Sequence, residues 1–126
     1  MGKIGYSPSS ARYKDNILDM ESSDWLYQLR PVNFTYKTDE QKKKQYGLIA
    51  EEVEKINPAF VSYNKEGVVE TVSYSQLISP IINAMQEQKK TISTLQSQVD
   101  ELRKDREFLM SRLEALEKGQ QDLTRK

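Results

Sequence analysis

Stepping alternately three and four residues from Ile78 lands on Ile81, Met85, Gln88, Ile92, Leu95, Val99, Leu102, Arg106, Leu109, Leu113, Leu116, Gln120 and Leu123. Only Gln88, Arg106 and Gln120 interrupt the apolar series, and its register never slips. A seam this narrow cannot be buried by a lone helix and needs partner helices. No Gly or Pro falls between Ile81 and Lys118, and at 1.5 Å per residue the segment would run to roughly 70 Å. A helix lying back on its own head would leave most of that length uncovered. The spacing therefore predicts a coiled coil over residues 78–126.

The number of strands follows from charge placement. Arg112 falls at g, Leu113 at a, Leu116 at d and Glu117 at e. This resembles the Arg-apolar-x-x-apolar-Glu signature of parallel three-stranded coils. An Arg stem covers the apolar seam while its guanidinium pairs with Glu on the neighbouring helix. Gln88 and Gln120 suit polar layers that set register at some cost in stability. Arg106, also in the seam, marks an ion site, a pairing to Asp105 or Glu107 of a neighbour, or local splaying.

Composition agrees with a partly elongated molecule. Of 126 residues, 37% are hydrophobic and 30% charged, with a mean hydropathy of −0.77. That is too polar for one fully packed core, yet the periodic apolar pattern is not that of a disordered chain. The 19 basic and 19 acidic residues cancel, so no basic excess points to nucleic acid. No apolar run approaches the ~20 residues of a membrane span. The expected partners therefore include neither nucleic acid nor a membrane.

The chain has no Cys and no His. A Ser-His-Asp triad and a thiol nucleophile are excluded, and a zinc site could use only carboxylates. No metal or cofactor is expected. Any catalysis falls to Ser, Thr, Lys, Tyr, Asp or Glu.

Upstream of the heptads lies a region of about 65 residues, marginal for independent folding. Ser22-Ser23-Asp24 offers N-caps for a short helix through Trp25, Leu26 and Leu29, ended before Pro31. Val32 to Tyr36 alternates and is β-rich, Lys37 to Lys44 is a charged loop, and Tyr46 to Ile49 can form a second strand. A helix from Ala50 to Ile56 follows, with Glu51 and Glu52 in its first turn and Pro58 closing it. Phe60 to Tyr63 and Val68 to Val72 flank Asn64-Lys65-Glu66-Gly67, a hairpin turn. The long helix starts either at Ser73, with capping-box spacing to Gln76, or at Ser79, with Pro80 in its first turn. Trp25, Phe34, Tyr36, Phe60 and Tyr63 read as core or interface aromatics.

The candidate chemistry sits in Ser7-Pro8-Ser9-Ser10-Ala11-Arg12-Tyr13-Lys14-Asp15-Asn16-Ile17. A Ser becomes a nucleophile when a neutral Lys takes its proton. That requires an amine desolvated or set near another cation. Arg12 either supplies that cation or is a plain surface charge. A Ser five residues before a Lys is, as spacing alone, equally a solvated arm.

Four blocks in order carry a resemblance. Ser9 to Ile17 resembles the Ser-Asp-x-Arg-Leu-Lys-x-Asn-Ile opening of the S74 peptidase family, the C-terminal intramolecular chaperones of phage tailspikes, tail fibres and neck appendages. Leu29-Arg30-Pro31-Val32-Asn33-Phe34-Thr35-Tyr36 resembles its Leu-x-Pro-Val-x-Phe-x-Tyr strand, and Gly47 to Val53 resembles its Gly-Leu-Ile-Ala-Gln-Glu-Val block. Val72-Ser73-Tyr74-Ser75-Gln76-Leu77, followed by Pro80, resembles the entry to its terminal helix. The likeness spans residues 9 to about 95. Ser10 replaces the usual Asp, Tyr13 the usual Leu and Glu51 the usual Gln.

The resemblance implies an α+β head followed by a long helix in a parallel trimer. It divides the chain into an upstream cargo remnant or tag at 1–8, an auto-processing head at 9–77 and a trimeric coil at 78–126. It implies a homotrimer that aids folding of a β-rich fibre or spike segment upstream on the same polypeptide. Self-cleavage would then break Pro8–Ser9, with Ser9 as nucleophile and Lys14 as general base. Its place would be the host cytoplasm during virion assembly, with the module absent from the mature virion. The competing reading is a trimerising cap of a fibrous protein in which the dyad is silent. A third reading, a cellular relative that frees a transcription-factor fragment from a membrane anchor, finds neither a transmembrane helix nor a basic DNA-binding region in this sequence to support it.

Overall fold

The computed structural model describes residues 7–125. These form four short strands and two α-helices, in the order β1 (Val32–Phe34), β2 (Gln45–Gly47), α1 (Ala50–Ile56), β3 (Val61–Tyr63), β4 (Val69–Val72) and α2 (Tyr74–Thr124). Single 3-10 turns occupy Ala11–Tyr13, Asp24–Gln28 and Pro58–Phe60. The fold is α+β, with two antiparallel two-stranded sheets and a long C-terminal helix. By its internal contacts the chain divides into two units between Asn83 and Ala84, with α2 continuing from one into the other. Residues 1–6 of the expected upstream segment lie outside the described residues.

The first sheet pairs Val32 with Gly47, Asn33 with Tyr46 and Phe34 with Gln45. β1 stops short of the expected Tyr36. Its backbone turns there, with Asp39 N–H donating to the Tyr36 carbonyl (3.2 Å). The Asp39 carboxylate then accepts from the N–H groups of Gln41 (3.0 Å) and Lys43 (2.9 Å). The charged loop is thus a built turn, an Asp bonding forward along its own backbone. β2 begins one residue earlier than the pattern predicts and ends at Gly47. Leu48 N–H leaves the ladder there to donate to the Tyr74 hydroxyl (2.9 Å).

The second hairpin pairs Val61 with Val72, Ser62 with Thr71 and Tyr63 with Val69, with a bulge beside Tyr63. The Ser62 and Thr71 hydroxyls hydrogen-bond across it. Its turn is held by the Asn64 side-chain oxygen, which accepts from Glu66 and Val68 N–H (3.0 Å each). Gly67 takes a φ of +79°, a left-handed conformation open to glycine without penalty. α1 packs against this hairpin, chiefly on β4, through Val53, which is 1% exposed. Val61, Leu77 and Pro80 are also buried in this unit, and Trp25 stacks on Phe60 with ring centroids 4.8 Å apart. The core is small for its chain length.

α2 starts at Tyr74 and runs through Pro80. Of the two possible starts, the earlier is the one formed. Pro80, which has no backbone N–H to donate, lies inside the helix with its ring almost completely buried. The short helix expected at Trp25 is a 3-10 turn, and Ser23 precedes it without capping it. Its hydroxyl instead points toward Met20 Sδ (3.6 Å) and accepts from Asn83 Nδ2 (2.9 Å).

Candidate active site

Residues 7–22 form an arm that is solvent-exposed throughout, with a single 3-10 turn at Ala11–Tyr13. Two backbone hydrogen bonds close the turn, Tyr13 N–H to Ser10 C=O and Lys14 N–H to Ala11 C=O (3.0 Å each). Ser10 is its N-cap, and its hydroxyl accepts from Arg12 N–H (3.4 Å). Ser and Asp are interchangeable in that role, so Ser10 in place of the usual Asp preserves the cap.

The turn carries Lys14 back over Ser9. Lys14 Nζ donates to Ser9 Oγ at 2.8 Å, within the reach proton transfer between nucleophile and base requires. Ser10 is occupied with its own turn, and Ser7 makes no hydrogen bond to Lys14. The Arg12 guanidinium donates to the Tyr13 hydroxyl (2.9 Å) and lies 4.5 Å from the Tyr13 ring centre. After Lys14, Asn16 turns the chain at a φ of +56°, a left-handed conformation that Asn tolerates better than most residues.

Beyond the turn the arm is tied down at its far end. Asn83 Nδ2 donates to the Glu21 carbonyl (2.8 Å) and to Ser23 Oγ (2.9 Å), and Ser23 is 1% exposed. Sequence reasoning missed this clamp and the Ser10 cap. An Asn in an otherwise apolar stretch of helix (Ile81-Ile82-Asn83-Ala84) was the available signal. Elsewhere in this unit, Arg30 forms a two-pronged ion pair with Glu52 (3.0 and 2.6 Å). It raises the Arg30 pKa and, through the same hydrogen bond, holds the Glu52 carboxyl below its usual range.

Among the described residues, no group of three or more acidic side chains is placed to hold a metal ion. No described helix is long and apolar enough to cross a membrane.

A serine and a lysine are thus joined by a hydrogen bond on an exposed arm of a small α+β unit. Residues 9–62 match the model of the peptidase S74 family, described as a chaperone of endosialidase. The match begins at Ser9, includes Lys14, and extends through β1, β2 and α1 into β3. No curated protein matches the chain.

Proposed function

We propose that this chain is an intramolecular chaperone that trimerises through α2, aids folding of a β-rich phage fibre or spike upstream on the same polypeptide, and releases itself at Pro8–Ser9. The single observation that carries the reading is the 2.8 Å contact of Lys14 Nζ with Ser9 Oγ, inside a segment that matches a peptidase and chaperone family.

The chemistry is an acyl shift followed by hydrolysis. Neutral Lys14 takes the Ser9 hydroxyl proton as Oγ attacks the Pro8 carbonyl carbon. Collapse breaks the Pro8–Ser9 C–N bond, and Lys14 returns the proton to the departing Ser9 amine. Water then hydrolyses the ester, leaving a Pro8 carboxylate and Ser9 as a new N-terminus. To act as general base, Lys14 must take the proton as a free amine. Covering of the arm by a neighbouring copy or by the fibre end supplies the desolvation, so cleavage follows assembly.

The chaperone role rests on the heptad face. Ile92, Leu95, Val99, Leu102, Leu109, Leu113 and Leu116 are 45% to 68% exposed in the single chain, an apolar stripe that partner helices would bury. Joining three chains there raises the effective concentration of the upstream segments. It also sets their register before slow non-local β pairing. The host cytoplasm during virion assembly is the place where such a step belongs.

Mass spectrometry of a polypeptide extended upstream of Ser9 tests the reading. Wild type gives two fragments, and Ser9→Ala or Lys14→Ala gives one. An intact wild type on a trimeric cargo would leave the silent cap as the correct function. Full cleavage with an unrelated, non-trimeric cargo upstream would overturn the dependence on assembly.

A further inference from the structure

We propose that Arg106 and Asp105 of neighbouring copies pair within the α2 seam, and that this ionic layer fixes a parallel, in-register assembly. The inference rests on the trimeric reading above and adds which residues choose its register.

The charges of residues 84–125 fall into two sets. Glu87 has Lys90, Asp100 has Arg103 and Lys104, Glu101 has Lys104, Glu107 has Arg103 and Lys104, and Lys118 has Glu114 and Asp122, which also has Arg125. All lie at the three- or four-residue spacing that makes neighbours on one helix. Lys89, Asp105, Arg106, Arg112 and Glu117 have no opposite charge at either spacing. The first set occupies the outward b, c and f positions, with Arg103 at e the exception. The second set occupies e, g, a, g and e, the positions that flank or enter the seam. These residues are exposed in the single chain, and the ion pair among the described residues is Arg30–Glu52. Charges left without an opposite charge one turn away on their own helix are concentrated where a second helix would lie, although Arg112 also lies over the Phe108 ring at 5.8 Å.

Their signs select one alignment. In a parallel coil an a residue packs beside the preceding g residue of its neighbour, and a g residue faces the following e residue. In register, Arg106 meets the neighbour's Asp105, and Arg112 meets the neighbour's Glu117. Sliding one helix by a heptad in one direction sets Arg106 beside Arg112, a like-charge contact, and Arg112 beside Thr124. Sliding it the other way sets Arg106 beside Gln98 and Arg112 beside Met110. Of these three parallel alignments, only the unshifted one satisfies both arginines. A purely apolar seam would be more stable and less selective.

A double-mutant cycle on the full chain, read by sedimentation equilibrium, tests the pairing. Asp105→Asn is expected to raise the monomer–trimer dissociation constant about 100-fold, from three pairs at roughly five-fold each. Arg106→Leu keeps the trimer, and in that background Asp105→Asn costs less than about five-fold. The exchange Asp105→Arg with Arg106→Asp recovers most of the loss. Equal cost of Asp105→Asn in both backgrounds would overturn the pairing while leaving the trimer standing. A monomeric wild type would overturn both. Register is read separately with Gln120→Cys in this cysteine-free chain: oxidation links residue 120 to residue 120 in an in-register parallel seam, and failure to link overturns the alignment.

Discussion

The Tyr74 hydroxyl stands over Gly47, placed so that a Cβ built on Gly47 would lie 2.7 Å from it and 3.2 Å from the Phe34 ring. The same hydroxyl accepts from Leu48 N–H at 2.9 Å and lies 3.4 Å from the Leu48 carbonyl oxygen. The start of α2 is thus latched to the end of β2, and Gly47 is required for space. Gly47→Ala is expected to destabilise the fold by about 2 kcal/mol through overpacking. Tyr74→Phe costs about 1 kcal/mol for the lost hydrogen bond. The double variant should be more stable than the sum of the two, because the phenylalanine removes the oxygen that the new methyl strikes. Urea denaturation of all three proteins measures the coupling; strict additivity would show that the contact relaxes at no cost.

Asn83 joins α2 to the arm at Glu21 and Ser23. Ser23 is almost fully buried, so removing its donor leaves a buried hydroxyl short of a partner. Asn83→Ala is expected to cost about 1–2 kcal/mol and to raise amide exchange in residues 17–23 well above that of α1. Asn83→Asp keeps the size but removes the donor and should show the same change. Hydrogen exchange read by mass spectrometry locates the effect.

The Arg30–Glu52 pair predicts a pH dependence of definite sign. The hydrogen bond from Arg30 depresses the Glu52 pKa in the folded state, so the folded chain binds its proton less readily than the unfolded chain does. The stabilisation is present above the ordinary carboxylate range and is lost as pH falls through it. Both partners are open to solvent, with side chains 66% and 37% exposed, so the effect is small and screened by salt. Glu52→Gln should flatten the acid limb of a pH–stability curve at low ionic strength by slightly lowering stability at neutral and alkaline pH, while leaving stability at the acid end unchanged.

Much of this arrangement was legible as pattern. The heptads located α2, Ala50–Ile56 followed from its acidic first turn and closing proline, and Asn64 to Gly67 marked the second hairpin. What escaped were features that depend on a distant partner. β2 ends at Gly47 because Leu48 turns to a hydroxyl 26 residues away, and no local propensity encodes that. Ser23 looked like a helix cap and was instead taken by Asn83. α2 takes the earlier of its two possible starts and carries Pro80 inside it, almost fully buried, a packing outcome invisible in the chain's local signals. At the candidate site, spacing alone left Ser9 and Lys14 an ordinary pair of polar residues. The 3-10 turn between them brings the two side chains within hydrogen-bonding distance.

That turn separates the roles of two adjacent hydroxyls. Ser9 Oγ is engaged by Lys14, while Ser10 Oγ caps the backbone at Arg12. If Ser9 is the nucleophile and Ser10 only shapes the turn, Ser10→Ala should slow self-cleavage without stopping it, by about five-fold for a cap of roughly 1 kcal/mol. Ser10→Asp restores the cap with the residue usual in the family, and should cleave at least as fast as wild type. The new N-terminus should be residue 9 in every active variant. Time courses of fragment release, with N-termini assigned by mass spectrometry, decide it. Complete loss of cleavage in Ser10→Ala, or a new end at residue 10 in wild type, would transfer the nucleophile to Ser10.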